Sequence, residues 1–293
     1  VIVHLIDGTY ELFRAWFGAP HQKVNGREIG AVRSMVRSFA ALLSRKTITH
    51  VGVAYDHVIE SFRNDLFPGY KTGEGVDPEL FAQFELAERM TTAMGMTAWP
   101  MVEFEADDAI ATAAHHLATD ERIEQVRITA VDKDMCQCVI GTKVVCWDRF
   151  KDVVTDEAGV IAKHGVLPRS IPDLLGLVGD TADGIPGLEG WGKSSAAKVL
   201  TAYGTIAAIP DDASSWSLAL RGSDRLAASL RDHREDANLY RTLAVLRTDC
   251  PIPCDLETLA WRGVDRAALE AICVELALAP GSVTLPDAAR SGS

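Results

Sequence analysis

Four of the five short apolar runs in the first half of the chain close on an aspartate, and helical stretches lie between them. The runs are VIVHLID (1–7), HVGVAYD (50–56), MTAWPMV (96–102), VRITAVD (126–132) and TKVVCWD (142–148). They are rich in β-branched residues and mostly apolar, as strands covered on both faces are. REIGAVRSMVRSFAALLSRK (27–46), PELFAQFELAERMTTAMG (78–95) and the Ala-rich stretch after Glu105 read as the intervening helices. This βαβ rhythm predicts an α/β fold with a parallel central sheet flanked by helices. Such a sheet collects its C-terminal strand ends on one edge, where ligands bind. Asp7, Asp56 and Asp132 are therefore expected on one edge. Asp148 ends the fifth run and reads as a turn residue.

Three more carboxylates, Glu105, Asp107 and Asp108, fall within four positions of EFEADDAIATAAHH (103–116), and Asp134 follows Asp132 in VDKDM. One or two acids in a first helical turn complement the backbone dipole and accept from its unpaired N–H groups. The third is surplus. Carboxylates gathered on one edge repel one another unless a cation intervenes, and ligands offering only oxygen select hard divalent ions, Mg²⁺ or Mn²⁺. Two such ions can activate water and neutralise a phosphodiester, so metal-dependent phosphodiester hydrolysis is the expected chemistry.

From about Pro168 strand signals vanish, and IPDLLGLVG, KSSAAKVLTAYG, SDRLAASLRDH and DRAALEAICVELAL read as helices between Gly, Pro and Asp turns. With 293 residues, 47% of them hydrophobic, the chain can bury one large or two ordinary cores. It has no apolar run long enough to span a membrane or act as a signal peptide, so a soluble cytoplasmic protein is expected. The start at Val1 without Met and the SGS close suggest a trimmed chain. Six cysteines with no Cys-x-x-Cys pair point to reduced thiols rather than zinc. The net charge of −12 argues at first against a nucleic-acid partner.

HLIDGTYELFRAWF, VAYD at 53, SFRNDLFPGYK at 61, FEADDAIATAA at 104, VDKDMCQCV at 131 and DLLGLVGDTADGIPGLEGWG at 173 together resemble the bacterial 5′-nuclease family, the flap endonuclease and 5′–3′ exonuclease group that includes the N-terminal nuclease domain of DNA polymerase I. The resemblance implies a PIN-like nuclease core over residues 1–168, with an arch or gateway at about 57–77. It implies a helical DNA-binding region over 169–293, with a helix-three-turn-helix at about 173–204. Asp7, Asp56, Glu105, Asp107, Asp108, Asp132, Asp134, Asp180 and Asp183 are implied to surround two or more metal ions. Setting those nine carboxylates aside brings the charge from −12 to −3, and bound divalent ions would cancel much of the rest, so the acidic total is compatible with a DNA partner. Arg14, Arg63 and Lys71 are implied to serve catalysis, and Tyr70 to stack on a base. Gly190, Gly192, Lys193 and Ser194 are implied to meet DNA phosphates, and the carbonyls of Ile185, Leu188 and Trp191 to hold K⁺. Relatives often carry a basic residue where Glu74 stands here, and most place Lys193 one residue further from the glycine.

The implied activity is cleavage of DNA bearing a 5′ flap, nick or free 5′ end, by a monomer, in replication and repair; RNA–DNA hybrid is a further candidate substrate. Two other readings stand beside it. One is a DNA-binding homologue with weak catalysis. The other is a nucleotide triphosphatase, because GLEGWGKS (187–194) fits the phosphate-loop pattern, which requires a strand before it and a helix after. The aromatic run Tyr10, Phe13, Trp16, Phe17 reads as helix core.

Overall fold

In a computed structural model, which describes residues 1–129, 132–279 and 282–285, the chain opens with β1 (Ile2–Asp7), α1 (Gly8–Gly18), a hairpin of β2 (Lys23–Val24) and β3 (Arg27–Glu28), and α2 (Gly30–Leu43). Next come β4 (His50–Asp56), α3 (Phe62–Leu66), α4 (Pro78–Phe81), α5 (Phe84–Ala93), β5 (Thr97–Met101), α6 (Ala106–Ala118) and β6 (Gln125–Thr129). Then follow β7 (Val144–Asp148), β8 (Val153–Thr155), α7 (Glu157–His164), α8 (Ile171–Val178) and α9 (Lys193–Tyr203). The last helices are α10 (Ser223–Asp232), α11 (Arg234–Ala244), α12 (Leu256–Leu259) and α13 (Arg266–Glu275). None among the described residues is long and apolar enough to cross a membrane.

Two compact units share these elements. One comprises Val1–Ser61, Gly73–Ala130 and Arg247–Ser293, the other Phe62–Thr72 and Val131–Leu246. The compact units thus interleave along the chain.

In the first unit four parallel strands lie in the order β5-β4-β1-β6. Their central residues, among them Leu5, Ile6, Val51, Val53, Val126 and Ile128, are fully buried, as the apolar runs require. Helix α2 buries Val32, Met35, Val36, Phe39 and Leu43, a stripe at helical spacing. The expected helix over 27–46 loses its first residues to β3, because Asn25 and Gly26 both adopt positive φ and turn the chain into a hairpin. The expected helix over 78–95 is split into α4 and α5. Of the run 126–132, residues up to Thr129 are in β6 and Asp132 is not in a strand; residues 130 and 131 lie outside the described residues. Residues 253–265 bind back on this unit: Trp261 N donates to Thr49 O and its Nε1 to Met94 O, both at 2.8 Å, and Trp99 Nε1 donates to Pro253 O at 3.0 Å.

In the second unit β7 and β8 form an antiparallel pair, and α8 packs on α11. The two helices approach closely at Gly176, where a Cβ would stand 2.9 Å from Arg241 N. Buried Asp173 joins them further, accepting from Arg241 Nε at 3.1 Å and from Ile206 N at 2.7 Å. Residues 179–192 connect α8 to α9. GLEGWGKS therefore follows a helix and a loop, not a strand, and the phosphate-loop reading fails on topology. Gly187, at φ +70°, lies where a Cβ would meet Gly179 N at 2.4 Å, so this loop requires glycine for close backbone approach. Strand β8 and helix α11 were not read from the sequence.

Candidate metal centre

The first unit brings Asp7 and Asp56 to the C-terminal edge of its sheet, on adjacent strands. Asp7 caps α1, its Oδ1 accepting from Tyr10 N at 2.8 Å. Asp56 Oδ1 accepts from Ala106 N at 2.8 Å, which ties the end of β4 to the start of α6. At that start Glu105 and Asp108 form a capping box. Glu105, buried, also accepts from Ser61 Oγ at 2.7 Å, and Asp108 Oδ1 from Arg247 N at 2.9 Å. Asp107, half-buried, sits between them in the first turn. The acidic cluster at 105–108 thus serves helix capping through Glu105 and Asp108, whose carboxylates are held by short bonds.

The second unit gathers Asp132, Asp134, Asp180 and Asp183. Burial, first, and then the neighbouring Asp183 raise the Asp132 carboxyl above its usual range, while Lys71 and Lys133 pull it down. Asp134 is pushed up to about 7, by burial foremost and then by Asp183 and Asp132. This is the signature of like charges sharing a desolvated space. Lys71 Nζ lies 3.0 Å from Asp183 Oδ1, and Lys133 Nζ lies 2.9 Å from Asp180 Oδ2. Lys133, inside VDKDM, was passed over in the sequence, although a lysine between two aspartates is itself a signal of compensated charge. Asp148 accepts from Phe150 N and Lys151 N at 3.1 and 3.0 Å, as a turn residue does. Among the described residues no three His, Cys, Asp or Glu side chains converge as a ready-made metal cage. The donor set within each unit is nonetheless all oxygen, which suits hard divalent ions.

Residues 62–72 carry three of the residues implied to handle substrate, and two of them are placed otherwise. Arg63 is only 1% exposed. Its Nε donates to Leu243 O at 2.8 Å and its Nη2 to Val245 O at 3.0 Å, so it anchors this segment to the end of α11. Tyr70 is 5% exposed and packs between Arg63 and Lys71, not as an open platform for a base. Lys71 is partly exposed, its N donating to Asp183 O at 3.0 Å in addition to the ion pair. Arg14, in the first unit, pairs with buried Glu11 at 3.0 Å and keeps a third of its side chain exposed. In its helix Trp16 is buried as core, whereas Phe17 is 79% exposed and departs from that reading.

Gly190, Gly192, Lys193 and Ser194 are all exposed at the start of α9. Gly192 caps the helix, with its N–H on Ser195 Oγ at 3.1 Å, and Lys193 Nζ reaches Lys163 O at 3.3 Å. The carbonyls of Ile185 and Leu188 accept from Asp180 N and Trp191 N, at 2.8 and 3.2 Å. Each retains a second lone pair that could face a cation.

Comparisons with known proteins bear on both halves of the sequence. The family model of the 5′-3′ exonuclease N-terminal resolvase-like domain matches residues 2–165, and that of the 5′-3′ exonuclease C-terminal SAM fold matches 166–267. DNA polymerase I of Bacillus caldotenax is 34% identical over 280 residues, 93% of this chain and 31% of that protein. DNA polymerase I of Mycobacterium leprae is 34% identical over 274 residues, 89% of this chain and 29% of its own length. The chain thus spans about a third or less of these relatives. A zinc-bound structure of T5 5′-exonuclease superposes with a TM-score of 0.68 at 18% identity, covering 94% of this chain and 98% of that one. The catalytic core of Rad2 in complex with DNA superposes at 0.60 and 13% identity, covering 93% and 86%. At such identities the likeness shows a shared fold, while the sequence matches go further: the chain belongs to the 5′-3′ exonuclease family.

Proposed function

We propose that the chain is a structure-selective 5′ nuclease that hydrolyses DNA phosphodiesters with divalent metal ions, acting as a monomer in the cytoplasm during replication and repair. The observation that carries this reading is a set of mutually repelling carboxylates, Asp132, Asp134, Asp180 and Asp183, of which Asp134 and Asp180 are buried, in a chain of this family. Asp7, Asp56, Glu105, Asp107 and Asp108 complete the proposed ligand set. Bound there, Mg²⁺ or Mn²⁺ would supply an activated water and neutralise charge on the phosphate. The net reaction adds water across the diester and leaves a 5′ phosphate and a 3′ hydroxyl.

The chain's own residues bind and orient the substrate. Lys71 offers its ammonium to the reacting phosphate. Arg14 is the second cation available to the strand. Arg63 and Tyr70 act indirectly, fixing the backbone that carries Lys71. Gly190, Gly192, Lys193 and Ser194 receive duplex phosphates at the N-terminus of α9, which fixes position and reads no bases. K⁺ at the carbonyls of Ile185, Leu188 and Trp191 would stiffen that loop, in the manner of a helix-three-turn-helix.

End-labelled 5′-flap, nicked, free-ended and RNA–DNA hybrid duplexes, incubated with Mg²⁺ or Mn²⁺ and with or without EDTA, test this. Cleavage near the 5′ junction that EDTA abolishes is expected. Cleavage indifferent to EDTA, or none on any substrate, overturns the proposal; binding without cleavage would instead favour the weak-catalysis reading, to which Glu74 in place of a basic residue gives some weight.

A further inference from the structure

Lys133 is assigned no part in the site described above, yet its ammonium lies 2.9 Å from Asp180, and Lys71 lies 3.0 Å from Asp183. Both acids are largely buried, with side-chain exposures of 6% for Asp180 and 19% for Asp183. Desolvated carboxylates need a compensating charge. Here two lysines supply two positive charges to four aspartates, and Asp132 feels both of them. The lysines themselves stay partly exposed, at 28% for Lys71 and 44% for Lys133, so each can swing toward solvent at little cost.

We propose that Lys71 and Lys133 are resident counter-ions of this acidic cluster, and that a divalent ion loads by displacing their ammonium groups. An ammonium sits on one carboxylate, whereas a divalent ion places two charges at a point several oxygens share, so loading draws the aspartates together as the lysines leave. Released in this way, Lys71 becomes available to a phosphate only when the metal is in place. Cation loading and substrate contact are then coupled through one side chain. Lys133 remains at the rim, where its charge opposes loading. The inference rests on the proposed metal-dependent reading but concerns how the ions enter, not what they catalyse.

Mn²⁺ binding, followed by the loss of the free-ion paramagnetic signal, reads the exchange without any activity. Lys133→Met is expected to tighten Mn²⁺ binding by about fivefold. Lys133→Arg, which keeps a cation, should stay near the unsubstituted chain, and so should Lys151→Met, which removes a lysine paired with Asp148 in the same unit. In ¹⁵N-edited spectra the ammonium resonances of Lys71 and Lys133 should shift or broaden as Mg²⁺ is added. Saturable metal binding with both resonances unmoved, or with unchanged or weaker affinity in Lys133→Met, overturns the inference alone. Absence of any metal binding by the unsubstituted chain overturns it together with the proposed function.

Discussion

Asp132 bears most directly on the ligand assignment, because burial and neighbouring aspartates both disfavour its charge unless a cation arrives. Asp132→Ala is expected to abolish cleavage while leaving DNA affinity, read by fluorescence anisotropy, largely intact; normal turnover would remove it from the ligand set. Lys71→Ala should slow single-turnover cleavage with Mg²⁺ in excess by about 10²-fold, the scale of one lost transition-state contact; an unchanged rate would assign Lys71 to structure alone. At this scale Asp7, Asp56 and the acids at 105–108 were legible because strand ends and helix starts are marked by short-range patterns, whereas Asp180 and Asp183 were reached only through the resemblance. Arg63 and Tyr70 were not. The carbonyls that bind Arg63 lie 180 and 182 residues further along the chain, and nothing local in SFRNDLFPGYK tells a buried guanidinium from an exposed one.

Helices and strands followed their periodicity wherever one face or both faces were buried. Where the reading slipped, local turn chemistry prevailed: Asn25 and Gly26 converted the expected start of α2 into a hairpin. Strand β8 escaped notice because Val153 and Val154 are exposed, so the short stretch carries no buried pattern. Helix α11 has a similar cause, since Arg, Glu and Asp open it and the glycine that accommodates it belongs to α8. That contact gives a prediction belonging to the element pair. Gly176→Ala gains helix propensity but sets a methyl against the backbone of α11. A net loss of about 1–2 kcal/mol in urea unfolding is expected, and a gain in stability would show that the helices can part freely.

For the molecule as a whole, stability should depend on pH through His4 in β1, which burial, aided by Arg127, holds down at about 4. The unfolded chain takes up this proton near pH 6.5 and the folded chain only near 4. Stability is therefore lost as pH falls between those values, by up to about 3 kcal/mol, and His4 contributes no slope above them. Asp134, pushed up to about 7, works in the opposite direction over much of the same range, because the folded state takes its proton first. Comparing urea midpoints of the unsubstituted chain and His4→Leu at pH 7.5 and 5 isolates the histidine; equal slopes in both would disprove its role.

The fold class was visible at this scale from alternation alone. The interleaving of the units was not, since it depends on tryptophan and backbone bonds between distant segments. The return of residues 247–265 to the first unit has a practical consequence. A protein severed after residue 165 would keep every strand of the parallel sheet and all five of that unit's proposed ligands, but forfeit the seam that Trp261 stitches and the amide that steadies Asp108. Such a fragment would carry an unfinished fold: residues 1–129 and residues 247–265 have to be synthesised before this unit is whole.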